Sequence, residues 1–133
     1  MNIMDTKLFR YHILDKIKER SIEIHVRSVF LQGLFFLPEL KLRKYFEDAI
    51  STIVLLKNIA KEASLTLAEL SLLWICSLEQ VEKVIIGINN LKQLQAHKET
   101  STKTVEQNIF KKALSIKYEN EKILNPSLWP RIL

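Results

Sequence analysis

Glycine occurs only twice in 133 residues, at Gly33 and Gly87, where average usage of about 7% would give roughly nine. A chain this poor in glycine has few places where its backbone turns freely, so those two positions mark junctions of the fold. Each one closes a run suited to a strand. Ile22 to Val26 alternates apolar with polar residues, and Ser28 to Leu31 continues mostly apolar up to Gly33. Val81 to Ile86 is a β-branched run, VEKVII, that ends at Gly87. The pattern predicts two strands, each opening at its carboxyl end into a glycine-bearing loop.

Helical spacing fills the chain between them. Leu8, Tyr11, Leu14 and Ile17 form one stripe and predict a helix over 8–20. From Phe46, the positions Ile50, Ile53, Leu56, Ala60 and Ala63 step by three and four, which predicts a second helix. Thr66 and Glu69 form a capping-box pair ahead of Leu67 to Leu78, a segment apolar on nearly every side and therefore expected to be buried, with Trp74 in the core. Asn89 and Asn90 open a helix carrying Leu91, Leu94 and His97, and a polar stretch over 98–103 precedes a last helix over 105–116. The tail, with Pro126 and Pro130, reads as irregular, anchored by Trp129. With a short strand at Asn2 to Met4, the order alternates between strands and helices, which argues for parallel strands joined by crossovers.

Composition narrows the class of molecule. Apolar residues make up 47% and charged residues 26%, which suits a single compact domain over 1–133 and excludes a disordered chain or a disulfide scaffold. The net charge of +5 is dispersed over helix-like stretches with no nucleic-acid-binding motif, so the basic groups read as solvated faces and no nucleic acid is expected. No run approaches the roughly 20 apolar residues of a membrane span. The start lacks the zones of a signal peptide, and the lone cysteine, Cys76, reads as a buried, inert thiol; a cytoplasmic location follows from both. His12, His25 and His97 lie far apart, so no metal is expected, and His25 falls on the polar side of its strand. Glycine after a strand permits close approach of a ligand, and the amides of a following helix favour a phosphate; a plain turn serves the same residues.

Three segments carry a resemblance. The run Arg27-Ser28-Val29-Phe30-Leu31-Gln32-Gly33 with its neighbours His25, Val26 and Leu34, the stretch Leu65 to Trp74, and Val84 to Leu94 together resemble the carboxyl-terminal part of the aldo-keto reductases. The ending Leu124 to Trp129 is similar to the tail of bacterial members. The resemblance implies an α/β fold: the last three β/α units of a (β/α)8 TIM barrel, parallel strands with flanking helices. It implies an NAD(P)H-dependent oxidoreductase that reduces aldehydes or ketones. None of the four catalytic residues of the family has a matching position here, so the chain alone is expected to be inactive. What carries over is cofactor contact. Arg27 matches a position that stacks on the nicotinamide, Ser28, Phe30 and Gly33 match the loop against the pyrophosphate, and Gly87, Asn89, Gln93 and His97 match the segment that holds the adenosine end. NADP or NAD is the implied cofactor. Three strands do not close a barrel, so self-association or pairing with a missing amino-terminal part is expected. A non-catalytic nucleotide-binding or assembly module, and a helical interaction protein, are the alternatives.

Overall fold

The computed structural model describes residues 1–130, and within them 57% of the chain is helical and 3% is strand. The expected barrel fragment with three β/α units is therefore overturned. Eight α-helices and a single two-stranded parallel sheet make up the described residues. The first two helices, α1 (Lys7–Arg10) and α2 (Ile13–Glu19), precede strand β1 (His25–Val26). Three helices follow: α3 (Glu39–Tyr45), α4 (Ile50–Glu62) and α5 (Leu67–Cys76). Strand β2 (Lys83–Val84) leads into α6 (Leu91–Ser101), α7 (Gln107–Ser115) and α8 (Glu121–Leu124).

The two expected strands exist and run parallel, His25 opposite Lys83 and Val26 opposite Val84, but each is only two residues long. Their ladder uses the Ile24 carbonyl, which accepts from the Glu82 and Lys83 amides, and the Val26 carbonyl, which accepts from Ile85. The third strand fails for a reason visible in its hydrogen bonds. Asn2 Oδ1 accepts from the amides of Met4 and Asp5, and the Ile3 amide donates to Ser71 Oγ at 3.2 Å. Backbone groups that a ladder needs are taken up by side chains, so the segment turns instead of pairing. The expectation of self-association rested on three strands, and that sheet is absent from the described residues.

The helix expected over 8–20 is broken at His12, whose φ of 54° lies in the left-handed region and separates α1 from α2. Proline-led α3 is a helix that the spacing did not anticipate. The tail also contains more structure than expected, with α8 and a 3-10 turn at Pro126–Leu128; Trp129 anchors it by donating from Nε1 to the Ile123 carbonyl at 2.8 Å and packing edge-on against Phe46.

Helix α5 forms as expected. Thr66 Oγ1 accepts from the Glu69 amide, and the Glu69 carboxylate accepts from the Thr66 amide, so two amides left free at the helix start are satisfied reciprocally. Its residues from Leu67 to Ile75 are buried apart from half-buried Glu69, and α4, α6 and the turn at Leu34–Phe36 pack around it. Helix α7 lies against α4 through buried Ile109, Phe110 and Ala113. Cys76 is a correction: it ends α5 and is exposed, because the apolar helix stops there, although partial burial pushes its thiol above the ordinary range.

Candidate functional site

The carboxyl ends of β1 and β2 open side by side into a groove of about 630 Å³, which falls within the ~300–1,000 Å³ typical of small-molecule sites. Parallel pairing puts the two glycine-bearing loops on the same end of the sheet. One wall is the turn that leaves β1, residues 27–33. The other is the loop that leaves β2 and the first turns of α6, residues 85–97.

The first wall is built from unusual backbone. Ser28, Leu31 and Gln32 have φ values of 63°, 46° and 50°, and Gly33 follows at 86°. For residues with a side chain, this region costs roughly 1–2 kcal/mol each. Two consecutive turns hold it: the Leu31 amide donates to the Ser28 carbonyl and the Gly33 amide to the Phe30 carbonyl, each at 3.0 Å. From behind, Ser71 Oγ of α5 donates to the Val29 carbonyl at 2.8 Å and Asn2 Nδ2 donates to the Ser28 carbonyl at 3.3 Å. Buried Val29, Leu31 and Leu34 anchor the same turn in the core. Packing and these bonds stabilise a conformation that the local sequence disfavours.

The second wall is held by its own cap. Asn90 Oδ1 accepts from the Gln93 amide at 2.9 Å, and Gln93 Oε1 accepts from the Asn89 amide at 2.8 Å. The walls meet where the His97 ring stacks on Phe30, centroids 5.0 Å apart and planes 18° from parallel. Phe36 packs edge-on against Phe30, with ring centroids 5.1 Å apart.

All eight residues singled out from the sequence for cofactor contact line this one groove: Arg27, Ser28, Phe30, Gly33, Gly87, Asn89, Gln93 and His97. Sequence reasoning missed Phe36 and the Ile85–Ile86 pair, which supply apolar surface. Gly87 has no left-handed φ and no atom within 4 Å of an added Cβ, so its glycine keeps the groove open rather than permitting a turn. Gly33 does need its left-handed φ.

Arg27 is the one formally charged residue on the groove's lining among the described residues, and no carboxylate lines it. The field in the groove therefore favours an anion. No group of three His, Cys, Asp or Glu capable of holding a metal ion occurs among the described residues, and no helix there is long and apolar enough to cross a membrane. His25 lies away from the groove on the surface, bonded to Glu23. Compared with known proteins, the chain matches no family model, no curated protein and no solved structure.

Proposed function

We propose that the groove binds a nicotinamide dinucleotide, NADP or NAD, and that the chain is the cofactor-holding portion of an NAD(P)H-dependent oxidoreductase acting on aldehydes or ketones. The observation that carries this reading is the convergence of eight residues from two distant segments on one anion-favouring groove. The barrel geometry of the resembled family is absent here, so the reading is supported by the groove's residues and charge.

Each part of the ligand has a partner of suitable chemistry. The planar Arg27 guanidinium suits stacking on the nicotinamide ring and offers a charge to the pyrophosphate. The turn at residues 28–33 and the loop at Gly87 let backbone approach the phosphates. Asn89, Gln93 and His97 supply amide and ring contacts to the adenosine end. Hydride transfer to a carbonyl also needs a proton at the oxygen as it becomes an alkoxide. The described lining contains no carboxylic acid, tyrosine or lysine, and His97, stacked on Phe30, is its one acid–base group of this kind.

Titration of the chain with NADPH and NADH, followed by amide shifts in NMR, tests this. Shifts at Gly87 to Gln93 are expected, with an affinity of about millimolar, equivalent to roughly 4 kcal/mol. A Cβ added at Gly87 meets no protein atom within 4 Å, so Gly87→Val, which fills open groove space, should weaken binding by about tenfold or more while the unfolding midpoint stays put. Absence of shifts there with either dinucleotide would discard the reading.

A further inference from the structure

Two of the three histidines are tied to carboxylates, His12 Nδ1 at 2.9 Å from Asp15 and His25 Nε2 at 2.8 Å from Glu23. His97 is the exception. Neither of its ring nitrogens has a protein partner among the described residues, although the residue is half-buried on the wall of the groove. Phe30 covers one face of the ring, 18° from parallel, and both nitrogens lie at the ring's rim, open to a ligand or to solvent.

His97 also stands between two spaces. A second cavity of about 280 Å³ lies between α5 and α6 and shares Phe36, Ala96 and His97 with the groove. The charged groups around the ring are divided between the two. Arg27, from the turn after β1, is on the groove side. Glu69 of α5, Glu99 of α6 and Lys103 beyond its end line the second cavity, and the turn at Leu34–Phe36 brings no charge. Glu69 is engaged there, accepting from Lys103 and from the Thr66 amide. Lys98, next in the chain, is exposed and lines neither space. Two carboxylates against one ammonium make the second cavity acidic on balance, which favours a proton on the ring, while the groove holds no carboxylate to neutralise that charge.

Imidazole is the one side chain whose ordinary titration falls between pH 5 and 8. Protonation makes both ring nitrogens donors and adds a second positive charge to a lining that otherwise carries only Arg27. NADP differs from NAD by one phosphate monoester on the adenosine ribose, and His97 lies with Asn89 and Gln93 at the end assigned to adenosine. Charge-assisted hydrogen bonds to phosphate are roughly twice as strong as neutral ones. We infer, on the reading that the groove takes a nicotinamide dinucleotide, that His97 chooses between the two forms: its protonated ring holds the adenosine phosphate, so the preference for NADP over NAD grows as pH falls. Asn89 and Gln93, which do not titrate, serve either form.

The oxidised forms NADP⁺ and NAD⁺ are the probes, titrated into the full chain by NMR at about pH 5.5 and about pH 8, on either side of imidazole's ordinary range. The phosphate monoester takes up a proton of its own near pH ~6, so His97→Gln, polar and uncharged, sets the baseline at each pH. The ratio of NADP⁺ to NAD⁺ affinity in the parent chain should exceed that baseline by about tenfold at the lower pH and by less than about twofold at the higher. His97→Lys, charged at both, should keep the raised ratio at both. Reciprocally, saturating NADP⁺ should raise the midpoint of the His97 ring titration by about one pH unit, and NAD⁺ should move it far less. Equal ratios in the parent and His97→Gln at both pH values, or equal displacement of the ring midpoint by the two probes, would overturn the inference and leave the dinucleotide reading standing. Absence of shifts at Gly87 to Gln93 with either probe at either pH would discard that reading, and the inference with it.

Discussion

The α4–α5–α7 core and the turn over 27–33 are built on opposite principles. In the core, spacing, capping and burial agree: Thr66 caps α5, the apolar stripe of α4 faces inward, and Ile109, Phe110 and Ala113 close the other side. In the turn, three residues with side chains sit at positive φ, and one of them, Leu31, is fully buried. The core would form from local preference plus burial; the turn exists only because the core and two side-chain hydrogen bonds impose it. A groove wall assembled this way is held in a conformation that the unfolded chain rarely visits, which pre-organises it for a ligand.

The largest expected effect attacks the core. Trp74 is 1% exposed and meets Phe9 edge-on at 5.7 Å, so Trp74→Ala should cost about 3–5 kcal/mol in urea unfolding. A loss below about 1 kcal/mol would mean that α5 is not the centre of the packing. Next comes the link between the two regions. Ser71→Ala leaves the Ile3 amide and the Val29 carbonyl without their buried partner, which should cost about 1–3 kcal/mol. Because Ser71 supports the turn, amide exchange should quicken at residues 28–33 in this variant but not along α7. Uniform acceleration would show that the turn is no more dependent on support than the rest.

Much of the core was legible in the sequence, and the fold class was not. The Thr66–Glu69 cap, the α4 stripe and the Asn90 cap of α6 are local signals, and each was realised. Strand signals are different in kind, because a β-branched run says that a segment suits extension, not that a neighbour is there to pair with it. VEKVII contributed two residues to a ladder, and Asn2 to Met4 contributed none, since Asn2 and Ser71 had taken the backbone groups. The break at His12 had no glycine or proline to announce it. The groove was legible for another reason: both of its glycines followed the two runs that do pair, in parallel, and parallel pairing gathers the carboxyl ends together. Phe36 escaped because its role depends on Phe30 turning toward it, a consequence of the left-handed turn that no local pattern encodes.

A smaller effect tests the strain itself. Gln32 is exposed and has a φ of 50°, so Gln32→Gly removes a steric penalty and no buried contact. Relief of roughly 1–2 kcal/mol is set against the greater freedom of glycine in the unfolded chain, about 0.4–1 kcal/mol. The net expectation is stabilisation of about 0.5–1 kcal/mol, read as a higher urea midpoint at unchanged slope. Gly33→Ala, forced into the same region with open space around it, should move the midpoint the other way. Destabilisation by Gln32→Gly would place Gln32 among the contacts that hold the turn and remove strain from the account of this wall.

The smallest effect lies at the opposite end of the strand pair. The Glu23 carboxylate accepts from His25 Nε2 at 2.8 Å and pairs with Lys83 at 2.9 Å, thereby bridging the two residues that face each other across the ladder. The hydrogen bond from His25, then that from Lys83, holds its pKa down from 4.5 to about 2. A carboxyl lowered on folding stabilises the folded chain at pH values above its unfolded pKa, and that contribution disappears as pH falls through the folded pKa. Here the window therefore runs from about pH 4.5 down to about pH 2. The group is open to solvent, so salt should screen most of the effect. An NMR titration of the Glu23 side-chain carbon should give a midpoint near 2 at low salt, rising toward the ordinary carboxylate range in Lys83→Met. The unfolding midpoint of Glu23→Gln should then change less than that of the parent chain across the same window. A Glu23 midpoint already in the ordinary range would mean that this bridge adds nothing to the ladder, leaving the Glu82 carboxylate, which accepts from the Ile24 amide at 2.6 Å, as the side-chain tie between the strands at this end.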